Sequence, residues 1–573
     1  MSLLIAAAWG SLAAQRPFSV QIPVPKQHHD TYDADAAALE VMQKVMAKLD
    51  PQTQELVMGL MASGATPGAL PPIEPDQMVA MIDQFGLRAH KQELIELFIH
   101  KSQILDLVPP EHRPLILPIF HDSLLAFIDG LSDDRLADRV SAMMKLGPNA
   151  TRGEKILVLL SKIPTLQKLG QIVARIEGIP PDVSQALQSL ESGIHTMTAE
   201  ELTGVIGGLL GEEKIQRYQV RFADKVLAEA SVGAVIRATI VEPGSSARQE
   251  VVAKLIKPYV LAGVPREMAI IDGLLEVVQE HGEFYQVGGM PLKDLFADLK
   301  AKLADELRVA KEQEHLVRAA EYYRGHRLVK VPKFFSGLSN QSVTFMEFLR
   351  GEKITDSFKG DAKRRAELAR RLLRVMKFET LFSEPSTALF HGDPHAGNVM
   401  HITNDASEPY KIGLLDWGLM GEFERPQRLQ MVQLSMALDH KSRKKIRSNV
   451  GGLLKDGLPR DAVRRADVFR LADEALQAKG TTAEVYAKLV EQLARHGFLL
   501  DGDFALFIKS QLTLDGIYRE LDPTLDPDEY LKKMASRQVR RELPKRLLLF
   551  PALGYRGYRS MLSNGEVFFG AFH

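Results

Sequence analysis

The chain has 573 residues, enough for several domains at about 100–200 residues each. Its hydrophobic fraction of 45% and charged fraction of 25% are ordinary for globular proteins, and its net charge of −1 gives no electrostatic signature of nucleic-acid binding. The sequence contains no cysteine, so thiol catalysis, disulfides and zinc–thiolate sites are excluded. Chemistry must therefore come from Asp, Glu, Lys, Asn and His.

Residues 1–35 predict an extended lead-in. Met1 to Ala14 is an apolar run of small residues, but no Lys or Arg precedes it, so we do not expect a secretory signal. The cluster His28-His29-Asp30 lies in a polar, proline-containing stretch, which we interpret as solvated rather than metal-binding. The sequence has no charge-free run of 18 mostly apolar residues. We therefore expect a cytoplasmic protein, either soluble or peripheral to a membrane.

Residues 36–160 have a helical apolar period, as in Leu94, Ile95, Leu97 and Phe98, and predict an all-helical N-terminal extension. Residues 161–348 are predicted to hold a small lobe. Within it, runs rich in β-branched residues at 218–222, 232–241 and 250–256 predict an antiparallel meander. A helical stretch from 265 to 325 follows, and strands are predicted at 328–335 and 342–348.

Residues 349–440 are predicted to form a larger helical lobe that carries the functional loops, and 441–573 its helical C-terminal part. The sequence His391-Gly392-Asp393-Pro394-His395-Ala396-Gly397-Asn398 is followed by an apolar run at 399–402, a polar turn, and a second apolar run at 410–415. This alternation predicts a β-hairpin, after which comes Asp416-Trp417-Gly418. We expect Gly418 to let the chain leave the hairpin with little steric constraint.

The spacing of Asp393, Asn398 and Asp416 matches the requirements of phosphoryl transfer. In protein kinases a catalytic-loop Asp orients the attacking hydroxyl, an Asn five residues later binds one Mg²⁺, and the Asp of a D-x-G turn binds the other. Each acidic residue taken singly is better explained as a turn residue. The ordered set favours a phosphotransfer site, with Asp393 catalytic and with Asn398 and Asp416 as metal ligands.

A kinase-like site also needs a cation for the nucleotide phosphates and a carboxylate that holds it. Lys254 lies on the third predicted strand and Glu312 on a helical segment, with Glu306 as the nearest competitor. Glu347, at the end of a later strand, is a further candidate for nucleotide binding. An alanine-rich loop between the first two strands is predicted to cover the phosphates, and its candidate residues are Ala228, Ala230, Ser231, Val232 and Gly233.

Together these motifs resemble the UbiB/AarF family of atypical kinases, over about residues 163–440. The segment Lys168-Leu169-Gly170-Gln171 matches the K-x-G-Q hallmark of that family, in addition to the alanine-rich loop, Lys254, the Glu306 and Glu312 helix, the HGD loop and the D-x-G turn. The resemblance implies an α+β, bilobal protein-kinase-like fold. It also implies ATP or ADP and Mg²⁺ as cofactors, with Lys168, Gln171 and Glu306 restricting access by protein substrates.

The chain departs from the family pattern at several positions. Arg308 stands where the family usually has an Asp, and Trp417 where it has Phe. Glu229 lies inside the alanine-rich loop, where a carboxylate would repel phosphates unless it is turned away. None of these changes removes a predicted metal ligand or the lysine. They indicate a divergent branch with altered regulation or substrate.

Three functions are consistent with these residues. The first is an ATP-dependent kinase or ATPase acting on a small molecule or in a lipid-linked process such as quinone biosynthesis. The second is a small-molecule kinase that resembles aminoglycoside or choline kinases, against which the K-x-G-Q segment argues. The third is a nucleotide-binding scaffold without turnover. The basic and apolar segment at 537–550 suits an anionic bilayer, although a packed helix with a solvated basic face explains it as well.

Overall fold

The computed structural model describes residues 34–48, 91–108, 113–146, 149–173, 197–280, 307–382 and 385–568, with isolated positions at 51–80 and 297–304. The chain divides into two compact units. The first comprises Met1–Arg248 and Val252–Leu307, and the second comprises Gln249–Val251 and Arg308–His573.

The first unit is helical before and after a group of three strands. Its described helices are α1 Ala34–Lys48, α2 Lys91–Ser102, α3 Arg113–Asp129, α4 Asp133–Met144, α5 Arg152–Leu160, α6 Pro164–Val173, α7 Ala199–Leu210, α8 Glu212–Arg217 and α9 Pro258–Glu280. Its strands are β1 Arg221–Glu229, β2 Gly233–Val241 and β3 Arg248–Ile256, and β2 lies between the other two. Strands β1 and β2 are antiparallel, with Ala228 opposite Val235 and Glu229 opposite Ala234.

The second unit begins with α10 Val309–Tyr322 and contains two further groups of strands. Strands β4 Val329–Lys330, β6 Gly351–Lys353, β8 Val399–Ile402 and β9 Ile412–Leu414 form a sheet in the order β4-β9-β8-β6. Strand β7 Thr387–His391 pairs antiparallel with β10 Met420–Glu424. Strand β5 Val343–Glu347 lies beside Gln249–Val251, where the Phe348 amide donates to the Glu250 carbonyl at 3.1 Å.

The remaining helices of this unit form its main core. They are α11 Ala362–Leu373, α12 Thr380–Phe382, α13 Arg425–Asp439, α14 Arg443–Asn449, α15 Ala462–Ala475, α16 Thr482–Arg495, α17 Gly502–Leu521, α18 Pro527–Leu548 and α19 Asn564–Phe568. A π-helical turn, Arg374–Glu379, joins α11 to α12, and short 3₁₀ turns span Ile354–Asp356 and Val450–Leu453. The first unit has a 3₁₀ turn at Ile104–Leu107.

An aromatic cluster in this core supports the segment that leads to His391. The Phe390 ring lies 5.0 Å from Phe423 and 5.2 Å from Phe507, centroid to centroid, and all three are buried. Gly421 pairs with Phe390 across β7 and β10, and a Cβ there would come within 2.1 Å of the Phe390 ring. Glycine is therefore required at 421. The cluster fixes β7 immediately before the HGD sequence starts.

The predicted fold class is confirmed, because the protein is a mixed α+β structure with a small antiparallel sheet and a helical N-terminal region. Two strand predictions were wrong in extent. The strand predicted at 218–222 in fact runs from Arg221 to Glu229, and helix α8 continues to Arg217 before it. The prediction missed these bounds because β1 is largely solvent-exposed and its apolar alternation is weak. Strand β4 has only two residues, since Pro332 follows Val331 and has no amide hydrogen to donate.

Candidate functional site

His391, at the end of β7, joins the two functional loops of the second unit. Its Nε2–H donates to the Leu415 carbonyl at 2.7 Å, and its Nδ1 accepts from the Asp393 amide at 3.1 Å. These two bonds define the neutral tautomer. Burial lowers the pKa of His391, in agreement with a ring that stays uncharged at neutral pH. The HGD histidine therefore fixes Asp393 relative to the residue that precedes Asp416.

The hairpin predicted between 399 and 415 is confirmed as β8 and β9, with Val399 opposite Leu414. Asn398 lies just before β8. Its side-chain amide donates to the Asp393 carbonyl at 3.1 Å, and its own carbonyl accepts from the Leu415 amide at 2.9 Å. The hairpin thus brings Asn398 next to Leu415, one residue from Asp416. Asp393, Asn398 and Asp416 are assembled by one continuous set of short contacts.

Asp416 has the strained backbone of the turn. Its φ is +52°, in the left-handed region that few residues other than glycine adopt, whereas Gly418 is not among the positive-φ glycines of the described residues. The unusual backbone conformation of this turn therefore belongs to Asp416 and not to Gly418. A Cβ at 418 would make a tight contact of 3.2 Å with Asp416 Oδ1, which also accepts from the Gly418 amide at 3.2 Å, so glycine relieves crowding at this point of the turn.

Trp417 connects the D-x-G turn to helix α10. Its side chain is buried, its ring centroid lies 4.8 Å from that of His391, and its carbonyl accepts from His315 Nδ1–H at 2.9 Å. Burial lowers the pKa of His315, which acts here as a neutral donor. His315 is three residues after Glu312 on α10. Trp417, which stands where the family has Phe, thus packs against His391 and links the turn to α10, the helix that contains Glu312.

The predicted nucleotide residues divide between the units. Lys254 lies on β3 in the first unit and Glu312 on α10 in the second, so their pairing stays a prediction. Helix α10 is held to β5 through Gln313, whose amide donates to Thr344 Oγ1 at 2.9 Å. Glu347, on β5, forms an ion pair with Lys330 at 2.8 Å and accepts from the Lys333 amide at 3.1 Å. Its carboxylate has a structural use, and nucleotide binding by Glu347 also stays a prediction.

The alanine-rich segment is shorter as a loop than predicted. Ala228 and Glu229 belong to β1, Gly233 begins β2, and Ala230, Ser231 and Val232 form the turn, closed by the Ala230 amide donating to the Gly233 carbonyl at 2.8 Å. The register of β1 and β2 extends further toward the turn than the composition indicated.

Lys257 provides a buried partner for this turn, which sequence reasoning missed. Its Nζ lies 2.7 Å from Glu229 Oε1 and donates to the Ala230 carbonyl at 2.6 Å, and its backbone amide donates to the Val232 carbonyl. The Lys257 and Glu229 side chains are 1% and 0% exposed. The Glu229 carboxylate is therefore turned into the protein and neutralised, which removes the phosphate repulsion that its position in the sequence suggested.

Lys509 is a second residue that sequence reasoning missed. It lies on α17, and its Nζ is 3.4 Å from Asp393 Oδ1. Both side chains are partly exposed, at 55% and 37%, so the ion pair contributes little to stability. Its location is informative, because it places a mobile cation beside the predicted catalytic carboxylate. Lys509 is 116 residues from Asp393 in the sequence, and the helical pattern around it does not indicate which residue it contacts.

The K-x-G-Q segment begins within α6. Lys168 is on this helix and half-buried, and the helix continues to Val173. The side chain of Gln171 and the whole of Glu306 lie outside the described residues. The regulatory role predicted for Lys168, Gln171 and Glu306 therefore stays a prediction.

Comparison with known proteins defines the class to which this site belongs. Residues 189–450 match the model of the ABC1 atypical kinase-like domain. A probable protein kinase UbiB of Xanthomonas campestris pv. campestris (strain 8004) is 25% identical over 409 residues, which are 70% of this chain and 72% of that protein. One of Xylella fastidiosa (strain M12) is 25% identical over 389 residues, covering 66% of this chain and 68% of its own length.

The matched domain is an atypical kinase-like domain, and it contains all the described site residues discussed above except Lys168 and Lys509. The resemblance to the UbiB/AarF family that the motifs indicated is confirmed by this domain match and by these relatives. Among the described residues we find no helix that is both long and apolar enough to cross a bilayer.

Proposed function

We propose that this protein is an ATP-dependent, Mg²⁺-requiring phosphotransferase or ATPase of the UbiB/AarF type. Its acceptor would be water, a small molecule or a lipid-linked intermediate, as in quinone biosynthesis, rather than a protein. The observation that supports this best is the set of contacts through His391, which brings Asp393, Asn398 and Asp416 together in one unit. These residue types have the order that phosphoryl transfer uses.

The donor set fits a magnesium ion. Asn398 offers an amide oxygen and Asp416 a carboxylate, and oxygen ligands of this kind are what Mg²⁺ selects. The Asn398 side-chain nitrogen is fixed by donation to the Asp393 carbonyl, which leaves the amide oxygen as the ligand atom. When bound, the ion would neutralise charge on the nucleotide phosphates. The strained backbone of Asp416 is of the kind found at functional sites.

Asp393 would orient the nucleophile, either water or a substrate hydroxyl, by accepting a hydrogen bond from it. Lys509 would contribute a cation at the same place, where the phosphoryl group passes from the ADP oxygen to the acceptor oxygen and its own oxygens carry negative charge. Catalysis would then consist of positioning and charge stabilisation, without a covalent intermediate on the protein.

The nucleotide phosphates would be bound by Lys254 and by the backbone amides of Ser231 and Val232 in the turn. Small side chains at Ala230 and Ser231 allow a phosphate to approach these amides closely. The ion pair of Lys257 with Glu229 supports this use of the turn. The Lys257 ammonium holds the Ala230 carbonyl of the turn, and the pair adds no net charge beside the phosphates. Glu312 would hold Lys254 in the nucleotide-bound enzyme.

The experiment that tests this function measures ADP release with ATP and Mg²⁺ for the wild type and for Asp393→Asn. We expect turnover in the wild type, stimulated by phenolic or lipid additives, and a fall of 10²-fold or more in the variant with nucleotide binding retained. The scaffold alternative predicts a Mg²⁺-dependent rise in melting temperature with ATP but no ADP release under any of these conditions.

A contact with a membrane surface is a second proposal, based on the end of α18. Leu547, Leu548 and Phe550 are 65%, 81% and 45% exposed, and they follow the basic residues Arg540, Arg541 and Lys545. An exposed apolar group beside basic side chains suits insertion at an anionic bilayer surface. Such a contact would bring a lipid-linked substrate to the enzyme.

A further inference from the structure

Two helices of the first unit place three metal-binding side chains together, far in sequence from the kinase-like motifs. Glu96 and His100 lie on α2 and His121 on α3. Each of the three offers one ligand atom, and these atoms all lie within 4.8 Å of one another. The kinase-like site uses none of these residues.

The local sequence explains the arrangement. Glu96 and His100 are four residues apart on α2, so their side chains project from the same helical face. The imidazoles of His100 and His121 come from facing helices, with ring centroids 5.7 Å apart and planes inclined by 25°. Helix packing thus assembles two nitrogens and one carboxylate from sequence positions 25 residues apart.

A neighbouring carboxylate orients the His121 ring. Nδ1 of His121 lies 2.9 Å from Asp122 Oδ1, and since a carboxylate only accepts, Nδ1 donates and the neutral ring has its lone pair on Nε2. Metal-bound histidines commonly make this contact, in which a carboxylate fixes the tautomer and the ring orientation. His121 therefore has the form that a metal requires.

The surroundings are those of a closed site. His100 and His121 are 6% and 5% exposed, and their helices also bury Ile95, Ile99 and Leu125. The two imidazoles therefore face each other in an apolar region between the helices. Glu96 is only partly buried and provides the anionic ligand at the outer edge.

We propose that Glu96, His100 and His121 bind a divalent first-row transition metal of the Zn²⁺ class, which joins α2 to α3. Two imidazoles and one carboxylate select such an ion over Mg²⁺ or Ca²⁺, which prefer all-oxygen sites. In a tetrahedral site ligand nitrogens lie roughly 3.4 Å apart, as Zn–N distances of about 2.0–2.1 Å require. The present spacing is at most 4.8 Å, so the ligand atoms would have to approach one another by at most about 1.4 Å, through side-chain rotation, to reach this value.

The test titrates Co²⁺ and then Zn²⁺ into the full-length, tag-free protein after chelator treatment. We expect one equivalent of Co²⁺ to give the visible absorption of a tetrahedral site, one equivalent of Zn²⁺ to abolish it, and the melting temperature to rise with Zn²⁺. His100→Gln and Glu96→Gln should each lose the absorption band. Asp122→Asn should weaken the affinity about 10–100-fold, because it removes only the orienting contact.

The matched control is the double variant His28→Gln/His29→Gln, which removes adjacent histidines that lie outside the described residues. It should bind Co²⁺ as the wild type does. If the band disappears in this control and persists in His100→Gln, or if the wild type binds no Zn²⁺ at micromolar concentration, the proposal is wrong. Circular dichroism of each variant separates loss of ligands from loss of fold, and Glu96→Gln, at a partly exposed position, provides the informative variant should His100→Gln unfold.

Discussion

Asp416 combines two properties that determine how its role is best tested. Its φ of +52° is unfavourable for most side chains, and its carboxylate is the proposed metal ligand. Asn tolerates the left-handed region better than other non-glycine residues and has nearly the same shape as Asp. Asp416→Asn therefore removes the charge and keeps the turn, whereas Asp416→Ala would change both.

The buried ion pair of Glu229 and Lys257 gives a prediction for stability. Glu229→Gln leaves the Lys257 ammonium buried without its counter-charge, which usually costs about 3–5 kcal/mol. We expect a loss of this size in the free energy of unfolding by urea. The double variant Glu229→Gln/Lys257→Met should recover most of it, because no buried charge remains. A double variant that is as unstable as the single one would contradict this account of the pair.

His315 gives a prediction for pH dependence. Its pKa in the folded protein is below its ordinary value of about 6.5, so the unfolded chain binds more protons in the window below that pH. The contribution to stability is complete at pH 7 and is lost as the pH falls below about 6.5. In His315→Asn the amide replaces the Nδ1–H donor and does not titrate. The fall in urea midpoint from pH 7 to pH 5 should therefore be smaller in this variant than in the wild type, and equal falls would contradict the assignment.

The contacts of these residues show where sequence reasoning ends. The proximity of Asn398 and Asp416 was predictable, because they flank the two outer ends of one short hairpin, and Asp393 precedes Asn398 by only five residues. The contacts of Lys257 and His315 were not, since their partners are 28 and 102 residues away and a buried Lys or His has no pattern of its own. The partner of a buried Lys or His is set by how helices and strands pack against one another, which the local sequence does not show.

At the scale of elements, helix α10 is hydrogen-bonded both to the D-x-G turn and to strand β5. His315 binds the Trp417 carbonyl, and Gln313 binds Thr344 on β5. A displacement of α10 would therefore change both the turn that contains Asp416 and the position of Glu312. The helix and the D-x-G turn are thus coupled through neutral hydrogen bonds.

Helix α17 contributes Lys509 and with it a prediction for activity. Lys509→Met removes the cation beside Asp393, and we expect turnover to fall about tenfold or more with little change in stability, because the ion pair is exposed. Lys488→Met, which removes an exposed lysine from α16, is the matched control and should leave turnover unchanged. Equal activities of the two variants in an ADP-release assay would show that Lys509 has no part in the reaction.

The end of α18 gives a prediction for membrane binding. Substituting Leu547 and Leu548 with Ser removes exposed apolar surface and should reduce co-sedimentation with anionic vesicles severalfold, without unfolding the protein. Wild-type binding should weaken at higher salt, because the basic residues contribute. Binding that is absent in the wild type, or unaffected by the substitutions, would indicate that this surface has another use.

At the scale of the whole molecule, nucleotide binding should stabilise the folded protein. A ligand present at about 100 times its Kd adds roughly 2.7 kcal/mol, so ATP with Mg²⁺ should raise the melting temperature and ATP with a chelator should raise it less.

The arrangement of helical and strand segments was predictable from apolar periodicity and turn residues. The division of the chain between two units was not, because β3 contributes residues to both and strand membership depends on long-range pairing.

The measurement that tests the central claim most directly is the Mg²⁺ dependence of ADP release by the wild type, Asp416→Asn and Asp405→Asn. Asp405 lies in the turn at the other end of the β8–β9 hairpin, where it pairs with Lys411, and is the matched control. We predict Mg²⁺-dependent turnover in the wild type and in Asp405→Asn, and a loss of 10²-fold or more in Asp416→Asn. Turnover in Asp416→Asn equal to that of the wild type, or no turnover in any of the three proteins, would contradict the account.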